Sequence, residues 1–386
     1  MKSQRGMRFG IFSPPAHRLP YNPTLALRRE IQLVEHLDVL GYDEAWIGEH
    51  HSSGVEVISS PELIIAAAAE RTTHIKLGTG VISAPYHHPF MVAERAMLLD
   101  HLTRGRFMLG LGPGQLLRDA YMLGMDTADL RPRFEEALDV IIRLLEGEVV
   151  NQSTDWFTCR DAELQLELFS DLDAALTSAI SPSGPKLAGR YGTGMLGLAA
   201  TNPIGIEKLA EQWEIAATEA QRHGRQVSRD DWRLVGPMHI AETMEQAIAD
   251  VQEGLPWLLN YLSHVDPTIV TGDATVRQLV DGMNETGAGV IGTPDMAIAQ
   301  LERLAEKSGG FGCYLFLNMD FAPWDATLRR YELFANEVMP VVQGQTRGLT
   351  ASWDALEESG STGAEATRQA QEAAAARFKA EREVRG

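Results

Sequence analysis

The feature that most constrains the fold is an alternation of short β-rich runs and longer amphipathic runs over the first ~140 residues. Each strand-like run is followed by a helix-like run, and Gly or Ser-Pro signals mark where the helices end or begin. Such alternation predicts parallel strands joined by crossover helices. The pattern predicts strands at 8–12, 44–48, 75–83 and 106–111, and helices at 24–40, 63–71 and 89–102.

The remainder of the chain continues this alternation less regularly. Seven or eight strand–helix units result, and this number favours a closed (β/α)8 TIM barrel, an α/β fold, over an open sheet. In such barrels the functional residues follow the carboxyl ends of the strands. The later predicted strands are 174–179, 195–199, 233–238, 288–291 and 312–317, and the later helices are 131–146 and 206–223, with a capped helix start at 292–295.

Three segments depart from the alternation. Residues 149–173 mix polar and aromatic side chains, and residues 254–285 fit no single template, so we predict an insertion at the first and an insertion or lid at the second. Residues 343–386 are rich in Ala, Glu, Arg and Gln and contain few large apolar side chains. We therefore expect the barrel domain at 1–342 and a polar tail at 343–386 that is either a solvated helix or disordered.

Charge and cysteine usage narrow the class of function. The chain has 34 Lys plus Arg against 53 Asp plus Glu, a net charge of −19, and lacks the basic patch that nucleic-acid or membrane-surface binding would need. No run approaches the ~18 apolar residues of a membrane span, and the first residues lack the apolar stretch of a secretory signal. Cys159 and Cys313 form no Cys-x-x-Cys pair. These features favour a cytoplasmic protein.

Two histidine pairs follow neighbouring strands, in Glu49-His50-His51 and in His87-His88. One interpretation is a metal site, since histidines and a carboxylate at a barrel mouth bind divalent ions. Adjacent residues on a strand point to opposite faces, however, whereas a chelating pair needs a spacing of two. The sequence therefore favours no metal and one functional imidazole in each pair, with His88, beside Pro89, capping a helix.

Two glycine-containing turns follow later strands. Residues 110–114 break the spacing of a dinucleotide fingerprint, and Pro113 removes one of its amides, so these glycines indicate a sharp turn or a close approach to a flat ligand. Residues 181–185 precede a helix, where free amides and the helix dipole favour a phosphate. An ordinary helix cap is the alternative at this second turn, although phosphate sites are common late in barrels.

Taken together, the ordered motifs resemble those of the bacterial-luciferase-like flavin monooxygenases over roughly residues 7–342. Residues 154–157 and 232–239 are most similar to the limonene 1,2-monooxygenase branch of that family. The motifs that carry the resemblance are Trp46-Ile47-Gly48-Glu49-His50-His51, Leu77-Gly78-Thr79-Gly80-Val81, His88-Pro89 and Leu99-Asp100-His101-Leu102-Thr103-Arg104-Gly105-Arg106.

The resemblance implies a luciferase-like barrel that uses reduced FMN as a diffusible cosubstrate. A separate NAD(P)H-dependent flavin reductase would supply the FMN, and one oxygen atom of O2 would pass to a small apolar substrate, such as a monoterpene alkene like that of limonene. A homodimer is implied as well. Three alternatives remain open, namely a deazaflavin-dependent dehydrogenase of the same fold, a non-catalytic flavin-binding protein and a metal-dependent hydrolase.

The resemblance also implies roles for individual residues. His50 matches the catalytic histidine, which would hydrogen-bond or protonate the oxygen that adds to the flavin. Thr79, Gly80 and Val81 match the strand segment beside the flavin ring, where the family often has a non-prolyl cis peptide. The phosphate loop of the family is matched by Ser181, Ser183 and Gly184.

The chain departs from true luciferase after the fourth strand. Gly112 and Pro113 stand where luciferase has a reactive cysteine and a phosphate-binding arginine, so light emission is not expected and Gly112 is expected to leave room over the flavin. The candidates for the missing phosphate-binding base are Arg118 and Arg190, each with a surface ion pair as its alternative role. The segment 254–285 offers Trp257, Leu258 and Tyr261 as an apolar wall for substrate or, alternatively, as core residues.

Overall fold

Eight parallel strands close into a barrel in the computed structural model of the chain, which describes residues 6–14, 16–265 and 272–385. The strands of the described residues, inside and outside the barrel, are β1 Arg8–Ser13, β2 Glu44–Ile47, β3 Lys76–Thr79, β4 Ile82–Ser83, β5 Phe107–Gly112, β6 Val150–Ser153, β7 Thr158–Ala162, β8 Asp173–Ser178, β9 Gly194–Gly197, β10 Trp232–Gly236, β11 Met238–Ile240, β12 Val290–Gly292 and β13 Cys313–Leu317. The pairs β6–β7 and β11–β12 form two separate two-stranded sheets. Around the barrel, the eight strands follow the order β1, β2, β3, β5, β8, β9, β10 and β13, and β13 pairs with β1 to close the ring. The predicted (β/α)8 barrel is confirmed.

Helices connect the strands, as the alternating pattern predicts. They are α1 Pro23–Leu40, α2 Pro61–Ala69, α3 Pro89–Thr103, α4 Leu117–Met122, α5 Leu130–Leu145, α6 Ser183–Tyr191, α7 Pro203–Ile206, α8 Leu209–Arg222, α9 Met244–Asp250, α10 Gly254–Val265, α11 Val276–Thr286, α12 Pro294–Ser308, α13 Trp324–Leu333, α14 Met339–Val342 and α15 Arg347–Arg385. None of these helices, which belong to the described ranges given above, is both long and apolar enough to cross a membrane.

Local sequence signals set several of these boundaries. Asn22 caps α1 by accepting from the backbone N–H groups of Thr24 and Leu25, and Gly41 ends that helix with a φ of 81°. His88 caps α3, since its ring accepts a hydrogen bond from the backbone N–H of Phe90 at 3.3 Å. The predicted capping role of His88 is therefore confirmed.

Three segments differ from the simple alternation. The predicted strand at 75–83 is divided into β3 and β4, with a cis peptide bond between Gly80 and Val81. Within 149–173, β6 and β7 form an antiparallel hairpin outside the barrel sheet. The segment 254–285 contains α10 and α11, and its residues 266–271 lie outside the described ranges.

The barrel interior has an apolar part and a charged part. The apolar part is a cluster of side chains from seven strands, which are Phe12, Trp46, Met108, Ala175, Leu196, Val235, Cys313 and Leu315. The charged part lies where the strands begin, because Glu44, Asp173 and Arg233 occupy the first or second positions of β2, β8 and β10. Arg233 is fully buried and bonds both carboxylates, with Nε 2.8 Å from Glu44 Oε2.

The barrel lies within one compact unit, residues 6–339, and residues 340–385 belong to a second unit. The second unit consists mainly of α15, which is interrupted at Gly360, where φ is 40°. Most side chains of α15 are exposed. Of the two alternatives for the tail, the structure has the helix.

Candidate active site

The residues singled out by the sequence lie along one edge of the barrel. His50 follows β2, Thr79 ends β3, Gly112 ends β5 and Ser181 follows β8. These positions are all at the carboxyl ends of parallel strands, the face on which barrel active sites form.

His50 is held by two buried carboxylates. Its Nδ1 lies 3.1 Å from Asp119 Oδ2 and 3.6 Å from Glu56 Oε2. Its Nε2 makes no hydrogen bond with any residue that the structure describes, and the side chain is 23% exposed. Because a carboxylate accepts at Nδ1, we assign the proton of the neutral ring to Nδ1, and Nε2 remains available to a bound molecule.

Asp119 is suited to orient this ring. It comes from α4, and its side chain accepts from the backbone N–H of His51 at 3.2 Å as well as from His50. Burial alone would raise the pKa of Asp119, but these hydrogen bonds outweigh burial and lower the pKa below its usual value. Asp119 is therefore ionised at neutral pH, and a fixed negative charge faces His50.

The other imidazoles are bound to Glu49. Glu49 Oε1 accepts from Nε2 of His51 at 3.1 Å and from Nε2 of His87 at 2.6 Å, and Glu49 Oε2 accepts from the backbone N–H of Ser83. Burial would raise the pKa of Glu49, but these three hydrogen bonds lower it to about 2. His51 and His87 thus support the loops after β2 and β4, so in the second histidine pair both imidazoles have structural partners.

The described histidines and carboxylates of this site are not arranged as metal ligands. In the part of the chain that the structure describes, no group of three or more His, Cys, Asp or Glu side chains is arranged to hold a metal ion. The carboxylates instead accept hydrogen bonds from ring nitrogens and backbone amides.

The segment predicted to lie beside the flavin ring is tied to the neighbouring strands. The Thr79 hydroxyl donates to the Gly110 carbonyl and accepts from the Gly110 N–H, both at 2.9 Å. The Gly80 N–H donates to the Ile47 carbonyl, and Val81 packs on the apolar cluster inside the barrel. The non-prolyl cis peptide implied by the resemblance is present between Gly80 and Val81.

Gly112 is closely surrounded by side chains. A Cβ at this position would lie 2.8 Å from Val81 Cγ2 and 3.1 Å from the Thr177 hydroxyl, so neighbouring side chains already fill the space beside it. Glycine therefore allows the close packing of β5 against Val81 and Thr177, a packing that does not decide whether Gly112 also leaves room over the flavin. A role for Gly112 in binding flavin stays a prediction.

The serine–glycine turn has a basic partner that sequence analysis did not identify. Arg131 Nη1, from the first turn of α5, donates to Ser181 Oγ at 3.2 Å and to Ser183 Oγ at 2.7 Å. Gly184 packs against the Thr177 carbonyl so closely that no Cβ fits. The guanidinium, the two hydroxyls and the first amides of α6 form the kind of donor set that binds a phosphate.

Neither predicted base contacts this turn. The guanidinium of Arg118 lies over the ring of Tyr121 at 5.2 Å, and that of Arg190 lies over the ring of Tyr191 at 5.4 Å. Arg131 is therefore the better-placed candidate for the base, and phosphate-binding roles for Arg118 and Arg190 stay predictions. Arg131 is 50 residues before Ser181 in the sequence, so only the fold brings the two together.

Helix α10 packs on the loops that follow the strands. Leu258 is buried in an apolar cluster with Val55 and Phe321, so the core alternative holds for this residue. Trp257 and Tyr261 are partly buried and stack on each other with ring centroids 6.2 Å apart. This aromatic pair is the part of the predicted apolar wall that remains accessible.

Comparisons with known proteins identify relatives of the chain in sequence and in fold. The sequence model of the luciferase-like monooxygenase family matches residues 7–310. Limonene 1,2-monooxygenase of Rhodococcus erythropolis is 53% identical over 377 residues, covering 98% of this chain and 97% of that protein.

Two solved structures show the same fold. The oxygenating constituent of 3,6-diketocamphane monooxygenase from Pseudomonas putida, in complex with FMN, has a TM-score of 0.71 at 24% identity, covering 87% of this chain and 98% of that one. An F420-dependent secondary alcohol dehydrogenase has a TM-score of 0.66 at 19% identity, covering 88% of this chain and 99% of that one.

Proposed function

This chain belongs to the luciferase-like monooxygenase family and is a flavin monooxygenase, and we propose that it transfers one oxygen atom of O2 to a small apolar substrate with reduced FMN as a diffusible cosubstrate. The observation that carries the proposal is His50, whose Nδ1 is held by Asp119 while Nε2 is unbonded among the described residues. When bound, reduced FMN would supply the electrons that activate O2.

The contribution of His50 is control of one proton. Asp119 orients the ring and compensates its charge when the ring is doubly protonated. The ring can then hold a proton at Nε2 and donate it to a group bound at the carboxyl edge of the barrel. A histidine suits this task because it gains and loses its proton near neutral pH.

The residues of the serine turn fit the phosphate of FMN. Arg131, Ser181 and Ser183 would bind the phosphate, with Gly184 allowing the close packing of α6 on β8. Thr79, Gly80 and Val81, at the top of the barrel interior, are the proposed contacts of the flavin ring.

Replacement of Arg131 by alanine is expected to raise the dissociation constant for FMN by ~10-fold, since one charge-assisted contact to the phosphate is lost. Riboflavin, which has no phosphate, should bind wild type and variant equally. Fluorescence titration with both flavins measures this difference. Arg190→Ala is the matched control, because Arg190 lies over Tyr191 and should leave FMN affinity unchanged. Equal FMN affinity of Arg131→Ala and wild type would contradict the assignment.

The proposed substrate class is an apolar molecule such as a monoterpene alkene. The accessible Trp257–Tyr261 pair offers an aromatic wall, and the 53% identical relative is named for limonene.

Purified protein, FMN, NADH, a flavin reductase and limonene should give a product heavier by one oxygen atom. The structural likeness to an F420-dependent dehydrogenase makes F420 the control cofactor, and turnover with F420 but not FMN would contradict the proposal.

Two partners belong to the proposal. A separate NAD(P)H-dependent reductase would supply reduced FMN. The proposed location is the reducing cytoplasm, which suits the free, buried Cys159 and Cys313. A homodimer is supported by exposed apolar side chains at helical spacing on α3, which are Met91, Leu98 and Leu102.

A further inference from the structure

His17, in the loop after β1, is a buried imidazole with a carboxylate on each side. Its Nδ1 lies 3.4 Å from Oδ2 of Asp320, in the loop after β13, and its Nε2 lies 3.6 Å from Oε1 of Glu30, on α1. The side chains of His17 and Glu30 are 8% and 6% exposed. The ring therefore connects three elements of the barrel through ionic contacts that are largely shielded from water.

The positions of the two carboxylates decide the protonation of this ring. A neutral imidazole has one N–H and one lone pair, so one of its nitrogens would present a lone pair to a carboxylate, whereas a doubly protonated ring presents an N–H to each. Burial lowers the pKa of His17, but the hydrogen bond to Asp320 and the charges of Glu30 and Asp320 outweigh burial and raise it, against the charge of Arg29 on α1. The doubly protonated ring is the form that this geometry stabilises.

Glu30 depends on the same cation. Burial raises the pKa of Glu30 and the charge of Asp320 adds to this, whereas the charge of His17 and a hydrogen bond from the Ser13 hydroxyl, at 2.8 Å, oppose it. A buried carboxylate that loses its cation destabilises the folded state. Loss of the second ring proton would therefore weaken the contacts on both sides of the ring.

Asp320 joins the loop after β1 to the start of α10. The backbone N–H of Arg18 donates to Oδ2 of Asp320 at 3.3 Å, and the guanidinium of Arg18 lies 2.9 Å from Oε2 of Glu253, the residue before α10. The first residue of α10 packs against the backbone of Phe321 so closely that no Cβ fits there. The contacts around His17 therefore help to fix the position at which α10 begins.

The backbone of His17 contacts the apolar cluster beneath α10. Its N–H donates to the carbonyl of Val55 at 2.8 Å. Val55 is buried in the apolar cluster against which Trp257 and Tyr261 of α10 pack. The loop after β1 thus supports α10 both at its start and under the aromatic pair.

We propose that His17 is a positioning residue whose doubly protonated ring, held between Glu30 and Asp320, keeps α10 and its aromatic pair in the position that binds substrate. The part of this inference that concerns substrate rests on the proposed function, whereas the part that concerns α10 does not. Loss of the ring proton at alkaline pH would loosen α10.

The dependence of stability on pH tests the ionic contacts without flavin or substrate. Since the pKa of His17 is raised in the folded protein, its stabilising contribution is present below the pKa of unfolded histidine, about 6.5, and is lost as pH rises through the folded value. The urea midpoint of wild type should exceed that of His17→Gln at about pH 6, and this gap should narrow by about pH 9.

Two further variants serve as controls. His17→Lys keeps a cation over this pH range, and a cavity of about 40 Å³ beside the ring gives the longer side chain room, so its midpoint relative to that of His17→Gln should not vary with pH. His36→Gln, also on α1, removes an imidazole whose carboxylate partner, Glu332, is 49% exposed, and its gap to wild type should vary little. A gap between wild type and His17→Gln that does not narrow with pH would overturn the inference.

Hydrogen exchange measured by mass spectrometry tests the link to α10 without turnover. At about pH 6, the amides of residues 254–264 should exchange ~10-fold faster in His17→Gln than in wild type, while those of α8, on another part of the barrel, should exchange equally. Equal exchange of α10 in the two proteins would overturn the inference.

Kinetics with an apolar substrate complete the test. His17→Gln should raise KM ~3–10-fold with kcat within about twofold of wild type, because substrate binding is weakened while His50 is unchanged. An unchanged KM would overturn the substrate part of the inference. Absence of turnover in wild type would contradict the proposed function instead, and the urea and exchange measurements would still decide whether His17 positions α10.

Discussion

Replacement of His50 by alanine is expected to lower kcat/KM for oxygenation by ~10²–10⁴-fold, the usual contribution of a positioned acid or base. The variant loses the only imidazole whose Nδ1 is held by Asp119 among the described residues. FMN affinity should change little, because the proposed phosphate contacts belong to α5 and the turn before α6. Steady-state kinetics with product quantification, together with flavin titration, measures both quantities.

His51→Ala is the matched control for this prediction. His51 is the next residue, but its ring bonds Glu49, and the hydrogen bond it gives Asp119 comes from its backbone N–H. We expect a much smaller loss of kcat/KM in this variant. A larger loss of kcat/KM in His51→Ala than in His50→Ala would contradict the assignment of His50 to the reaction.

The second large effect is expected at the opposite end of the barrel, where Arg233→Met should lower the free energy of unfolding by ~3–5 kcal/mol. Arg233 is fully buried, bonds Glu44 and Asp173, and lies over the Trp46 ring at 5.0 Å. Removal of the guanidinium leaves two carboxylates without their shared cation. Unfolding by urea, followed by circular dichroism, measures the difference.

Arg8→Gln provides the comparison. Arg8 also bonds Glu44, at 2.9 Å, but its side chain is 29% exposed and water can replace part of the interaction. The expected loss is ~1 kcal/mol or less. A similar loss in both variants would show that burial of Arg233 contributes no special stability. Because this cluster lies where the strands begin, kcat of the folded Arg233→Met protein should remain near that of wild type.

The barrel was predictable because its signals are local. Alternating strand and helix runs, the glycine after α1 and the Ser-Pro before α2 each follow from a few neighbouring residues. The position of His50 after a strand was likewise predictable, since the strand end and its flanking motif are contiguous in sequence. The histidine cap of α3 belongs to the same class.

Partners of the candidate site were not predictable, because they come from separate elements. Asp119 lies 69 residues after His50. Arg131 was missed in favour of Arg118 and Arg190, which have equal charge but face aromatic rings. Nothing in the local pattern distinguishes these arginines.

Helix α10 was missed for a different reason. The first half of α10, 254–259, contains no charged or amide side chain, and its leucines and Trp257 are buried or partly buried, so this half lacks the polar positions of a surface helix. Gly112 shows a related limit, since a glycine that leaves space for a ligand and a glycine that lets side chains pack read alike in sequence. The positions of Val81 and Thr177 show the packing, and an approach of the flavin to Gly112 stays a prediction.

The central claim, that one atom of O2 enters an apolar substrate, is tested most directly by isotope labelling. Wild-type protein would be supplied with FMN, NADH, a flavin reductase, limonene and ¹⁸O2, and the product analysed by mass spectrometry. We predict one ¹⁸O atom in the product. When the reaction is instead run in H2¹⁸O with unlabelled O2, we predict no label in the product. A product that forms without O2, or one whose new oxygen comes from water, would contradict the claim.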